Sequence, residues 1–305
     1  MVKKDKIKLI TADKVSTPYG CWGSKKTECK YLLPIILPHI NDDITFVEPF
    51  CGSSVVSYNI YKYKNNANFH INDIDKIRTD FYINMRDEKN RQDLYKLEQL
   101  ILKEGQDKYY EIVRTKKTDY ESLYYKEILS QRIHSFRSGL WPTTKKIILH
   151  EISNDWINFF NKSNITNFDF KQIFKNYEDN EKIFLYLDPP YSNSYNASYS
   201  NYNNKHDENL NIIDNTQIYL DLLFFLKNAK CKILFSINMN ALTIYLYQDY
   251  IKYIYTQVYQ NTHKNIENTK ATKKKEQVLI ISNFEINEID NFKGIEKFNL
   301  NQNVF

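Results

Sequence analysis

Glycine is scarce in this chain, with six residues at positions 20, 23, 52, 105, 139 and 294. They form no GxGxxG stretch, which argues against a nicotinamide-dinucleotide site. Cysteine is rarer still. Cys21, Cys29, Cys51 and Cys231 make no CxxC pair and the six histidines make no HExxH, so no metal site is indicated. Thiols so spaced suit reduced cysteines of a cytoplasmic protein better than a disulfide framework. No run reaches the roughly 18 apolar residues that span a membrane. The opening residues Met1-Val2-Lys3-Lys4-Asp5-Lys6 are charged and lack the apolar core of a signal peptide. A soluble intracellular chain is expected. The net charge of +5 is low, permitting a nucleic-acid partner without demanding one.

What is present is a chain of 305 residues with 25 tyrosines, long enough to bury one large core and carry one inserted subdomain. Its frequent Asn, Ile and Lys match the codon bias of an AT-rich genome, so asparagine in loops carries little functional weight. Pro18 to Lys26 reads as a glycine-containing loop entering a helix that bends around Pro34 and ends by Pro38. A strand at Ile44–Val47 then turns through Glu48-Pro49-Phe50-Cys51-Gly52-Ser53-Ser54 into a helix. A second strand ends at Asn72-Asp73, about 20 residues past the glycine turn, where βαβ units place a ribose acceptor. Helical patterns follow over Ile77–Met85 and Leu94–Leu102.

The alternation of strand and helix breaks over residues 104–165, a stretch rich in Tyr, Lys and Arg. It resumes with the apolar run Ile183–Leu187, whose length and composition suit a buried strand. That strand stops at Asp188-Pro189-Pro190-Tyr191. The prolines fix φ and remove two backbone donors, leaving carbonyls as the main-chain polar groups. A carboxylate, carbonyl acceptors and an aromatic face at a strand's carboxyl end suit an amino group on a planar ring. Strands at Lys232–Ser236, within Tyr250–Tyr259 and at Gln277–Ile281 complete one α/β domain.

Trp22-Gly23-Ser24-Lys25, Phe46 to Gly52, Asn72-Asp73, Asp169-Phe170 and Asp188 to Tyr191 recur in an order and spacing that resemble the Dam-like DNA adenine methyltransferases. The resemblance covers most of residues 15–284. It implies a Rossmann-like methyltransferase sheet with helices on both faces and an inserted, mainly helical target-recognition region. The division it implies is 1–103 and 166–305 for the S-adenosylmethionine-binding catalytic domain, with 104–165 inserted.

By that resemblance, Glu48, Pro49, Phe50 and Gly52 form the first S-adenosylmethionine loop, flanked by Trp22, Gly23 and Lys25. Asp73 accepts from the ribose, Asp169 and Phe170 meet the cofactor's adenine, and Asp188 stands beside the cofactor as well as the target. Plainer roles stand next to these: a solvated Lys25, Asp73 or Asp169 as a helix cap, and Phe170 as ordinary core. Two departures mark the chain. Ser53-Ser54 stand where family members carry more glycine, and Arg137-Ser138-Gly139-Leu140-Trp141-Pro142 is a degenerate form of the family's insertion signature.

The implied activity is site-specific methylation of adenine N6 in double-stranded DNA, with Asp188, Pro189, Pro190 and Tyr191 catalytic. Arg132, Arg137, Lys145 and Lys146 are candidate DNA contacts, and a lysine-rich loop at Asn261–Lys275 is a second phosphate-binding candidate. The family also brings in a restriction-modification context, with a cognate endonuclease as partner. Two other functions remain open on sequence: an RNA adenine methyltransferase, and a DNA-binding module without catalysis.

Overall fold

The computed structural model describes residues 24–105, 107–108, 111, 153–190, 216–260, 273–286 and 294–300. Eight strands form one sheet: β1 (Thr45–Glu48), β2 (Asn68–Asn72), β3 (Asn164–Thr166), β4 (Ile183–Leu187), β5 (Lys232–Asn238), β6 (Ile251–Gln260), β7 (Lys273–Ser282) and β8 (Ile295–Lys297). Their order across the sheet is β3-β2-β1-β4-β5-β7-β6-β8. Strands β3, β2, β1, β4 and β5 run parallel, whereas β7 joins β5 antiparallel and pairs with β6, which pairs with β8. Strand order reverses between β1 and β4, so the crevice beyond their carboxyl ends is the switch point where open α/β sheets bind ligands.

Strand β4 shows why this sheet is central. All five of its residues are buried, as expected of a parallel strand covered on both faces. Phe184 and Tyr186 enter one core, while Ile183, Leu185 and Leu187 enter the other. The first core is covered by α1 (Cys29–Ile36), α2 (Val55–Tyr61), α3 (Lys76–Asn84), α4 (Glu88–Glu104) and α5 (Asn154–Lys162). The second is covered by α6 (Phe170–Tyr177), α7 (Thr216–Asn228) and α8 (Ala241–Tyr247). The α/β class with helices on both faces is therefore realised.

Helix α1 keeps Pro34 inside its length and ends at Ile36, before Pro38, where it passes into a 3-10 turn, Leu37–His39. Two elements lie at the carboxyl end of the 104–165 stretch. Helix α5 packs its Trp156 on Tyr58 with ring centroids 3.6 Å apart, and β3 pairs with β2 as the sheet's edge. This end of the stretch is thus part of the sheet. Strand β3 has three residues and no apolar alternation, which leaves little periodic signal in the sequence.

His70 ties the edge together. Burial pushes its imidazole down to about 4, and its ring nitrogens meet the Tyr177 hydroxyl at 2.9 Å and the Thr166 hydroxyl at 2.7 Å. Among the described residues no helix is long and apolar enough to cross a membrane.

Candidate active site

The turn after β1 is built around a conformation that glycine tolerates best. Gly52 has φ +49° and Ser54, just before α2, has φ +53°. Glycine enters that region freely, whereas a residue with a Cβ is strained there. The Gly52 N–H donates to Asp73 Oδ2 at 2.9 Å, and the Asp75 N–H donates to Asp73 Oδ1 at 2.9 Å. The Tyr82 hydroxyl donates to the Gly52 carbonyl. Asp73 therefore joins the ends of β1 and β2. Burial pushes its carboxyl up, while Arg78, 3.7 Å away, opposes that shift.

Asn72 holds the neighbouring loops in register. Its Nδ2 donates to the carbonyls of Pro49 at 3.0 Å and Phe168 at 2.9 Å. Its Oδ1 accepts from the Phe168 N–H and the Thr166 hydroxyl, both at 2.8 Å. One fully buried carboxamide thus fixes the turns after β1, β2 and β3 together. Beside it, Asp169 caps α6 by accepting from the Lys171 N–H at 2.8 Å. Phe170 packs on Phe50 with ring centroids 5.2 Å apart. Asp169 thus serves as a helix cap and Phe170 is buried, while Phe168 next to them is exposed.

The end of β4 carries a buried ion pair. Lys25 Nζ lies 2.7 Å from Asp188 Oδ2, with side chains 5% and 19% exposed. Lys25 is thus no solvated lysine. Burial pushes the Asp188 carboxyl above its usual range, and Lys25 pulls it back. Glu28 and Glu48 lie near this pair, and each has Asp188 among the charges acting on it. Glu28 accepts from the Thr27 hydroxyl at 2.7 Å and from Gln257 Nε2 on β6. Glu48 accepts from the Ser57 N–H at 3.3 Å and from the Ser57 hydroxyl. Burial pushes Glu48 up to about 8, so it is largely protonated at neutral pH.

The prolines after Asp188 are anchored from the opposite side of the sheet. The Tyr219 hydroxyl donates to the Pro190 carbonyl at 3.1 Å, and the Tyr247 hydroxyl donates to the Tyr219 carbonyl at 2.7 Å. Two buried tyrosines on α7 and α8 therefore set the course of the chain as it leaves β4.

Residues 22–135 match the family model of D12 class N6 adenine-specific DNA methyltransferases. Over that stretch the chain is similar to the family. Comparison with curated proteins gave no match. The match stops well before Asp188, so it depends on the β1 and β2 loops and not on the Asp-Pro-Pro-Tyr stretch.

The sheet's carboxyl edge gathers Lys25, Glu48, Pro49, Phe50, Gly52, Asp73, Asp169, Phe170, Asp188, Pro189 and Pro190. Trp22, Gly23, Tyr191, Arg132, Arg137, Lys145 and Lys146 lie outside the described residues. Sequence reasoning named Asn72 within the Asn72-Asp73 motif but gave it no role of its own, and it did not single out Glu28, Tyr219 or Tyr247. The other three act through contacts between distant segments and leave no local pattern. Among the described residues no group of three or more His, Cys, Asp or Glu is arranged to hold a metal ion.

Proposed function

We propose that the enzyme transfers the methyl group of S-adenosylmethionine to the exocyclic amine of an adenine flipped out of duplex DNA. The observation that carries this reading is the state of Asp188. Lys25 occupies one of its carboxylate oxygens, and the other oxygen is the acceptor for one amine N–H. The Pro189 carbonyl takes the second, while the Pro190 carbonyl is already held by Tyr219.

The cofactor side fits an adenosine-bearing ligand. Among the described residues nothing lies within 4 Å of the position a Cβ on Gly52 would take, so a ligand can approach the backbone there. Asp73 accepts one bond at each carboxylate oxygen, leaving lone pairs for ribose hydroxyls. Phe50, Phe168 and Phe170 offer aromatic surface beside it. When bound, S-adenosylmethionine supplies a methyl group on a sulfonium.

The protein's own contribution is position and charge. An adenine amine is a weak nucleophile because its lone pair is conjugated with the ring. Two acceptors on its hydrogens favour a more tetrahedral nitrogen, and the anionic Asp188 complements the positive charge that grows there. Holding amine and methyl donor in line converts the encounter into a unimolecular step. The surplus proton leaves to solvent.

Extruding the base costs a few kcal/mol. Tyr191 stacking on the ring offsets about 1–3 kcal/mol of that. Arg132, Arg137, Lys145 and Lys146 are assigned to phosphates and base edges, and the lysines that open β7 to phosphates.

Mapping modified adenines in DNA from cells expressing the chain tests the reading and identifies the recognition sequence. N6-methyladenine at a defined site is expected. Methyl transfer from labelled cofactor into RNA but not duplex DNA would exclude it.

A further inference from the structure

We propose that Asn238 is a specificity-determining residue, whose carboxamide reads the edge of the acceptor adenine carrying the amine. The proposal rests on the function above and adds a residue to that site. Asn238 is the last residue of β5, the strand that pairs with β4 through Leu187 and Phe235. Alternation along β5 sends Leu234 and Ser236 to the same side as Tyr186, and Ser236 meets the Tyr186 hydroxyl at 2.9 Å. Asn238 continues that row, and Asp188 continues the row of Phe184 and Tyr186 on β4. The two side chains therefore leave adjacent strands on one face, with Asn238 further toward the carboxyl edge.

The Asn238 side chain has an unmet need. Its Oδ1 is buried and has no hydrogen-bond partner among the described residues. A buried carboxamide oxygen without a donor is costly, and such orphans in an otherwise satisfied region call for an explanation. The backbone around it is not slack. Its carbonyl accepts from the Thr243 hydroxyl at 3.0 Å, and the Met239 N–H donates to the Gln277 carbonyl at 2.8 Å. Nor is it required as a helix cap, because Asn240 closes the capping box of α8 with Thr243.

The cation that meets Asp188 on the neighbouring strand is already committed. Lys25 is engaged with Asp188, so the missing donor is one that a ligand brings. An adenine amine supplies it. The amine hydrogen directed at the Pro189 carbonyl is shared with Asn238 Oδ1, a three-centre arrangement common in proteins. The NH2 of the same carboxamide donates to the adjacent ring nitrogen. An amide paired with an amine and a ring acceptor is the usual asparagine–adenine match. A hypoxanthine carries a carbonyl in place of that amine and offers no such match.

The test uses the full chain and duplexes containing its mapped site. The target adenine is left intact or replaced by 7-deazaadenine or 1-deazaadenine, each lacking one ring acceptor. Asn238→Ala should lower kcat/KM on adenine by about 10- to 100-fold. It should leave cofactor affinity unchanged and stability equal or higher, since it removes an orphan rather than a contact. One of the two deaza substrates should show a similar loss with the parent enzyme, and that loss should vanish in Asn238→Ala. Asn238→Asp keeps an acceptor without the NH2 donor and should also have lost the deaza discrimination. Parent-like kcat/KM in Asn238→Ala, or an undiminished deaza penalty in that variant, overturns the proposal. A parent enzyme that leaves every duplex unmethylated overturns the adenine reading itself.

Discussion

Replacing Glu48 by glutamine removes a titrating group from the site with little change in its shape. Glu48 is 3% exposed, and its Oε2 accepts both Ser57 donors. Burial, with Asp188 and Asp73 nearby, holds its carboxyl at about 8 against an ordinary 4.5. In the unfolded chain it ionises near 4.5. Between these values the folded protein keeps a proton that the unfolded chain has released. The unfolded state then binds fewer protons, so stability must fall as pH rises through this window.

At about 1.4 kcal/mol per unit, the loss is about 3 kcal/mol by pH 7 and about 4 by pH 8, where the folded group begins to ionise. Glutamine is neutral throughout and keeps an oxygen for Ser57, so Glu48→Gln removes that pH dependence. Urea unfolding of parent and variant at pH 5, 6, 7 and 8 measures the difference. The variant should gain on the parent steadily with pH. Parallel curves would mean that Glu48 is ionised in the fold, and the reasoning from burial would be wrong.

Lys25→Gln removes the cation from Asp188, which pushes that carboxyl further up; the acid limb of the kcat/KM profile should move to higher pH. The same variant should lose about 3–5 kcal/mol of stability because Asp188 is left buried without its partner. Asn72→Ala strips hydrogen bonds from the Pro49 and Phe168 carbonyls, the Phe168 N–H and the Thr166 hydroxyl. A loss of about 3 kcal/mol in denaturant unfolding is expected, together with weaker cofactor binding. Ser54→Gly releases the strain at φ +53° and should stabilise by about 1 kcal/mol, read as a rise in the urea midpoint.

Much of the sheet was legible because its central strands are apolar and bounded by turn residues. Ile183–Leu187 announces a buried parallel strand by composition alone. Gly52 could be placed in a tight turn because glycine is so rare here. Strands β3 and β8, with three residues each, carry too few positions for any period to register. The Lys25–Asp188 pair was not legible as a contact. Residues far apart in the chain meet only because α1 covers the face onto which β4 turns its even-numbered side chains. The anchoring of Pro190 by Tyr219 is hidden for the same reason. Asp169 shows the reverse case: its capping role follows from the residues next to it, and the structure realises that role.

The central claim is that Asp188 acts on the target amine and does not merely complete the fold. Asp188→Asn keeps the side chain's size and an oxygen for Lys25 while removing the negative charge. Single-turnover methylation of duplex DNA, measured beside equilibrium binding of S-adenosylmethionine, tests this most directly. The account predicts at least about a 100-fold slower methyl transfer, with cofactor affinity within a few-fold of the parent. Parent-like transfer by Asp188→Asn would contradict it.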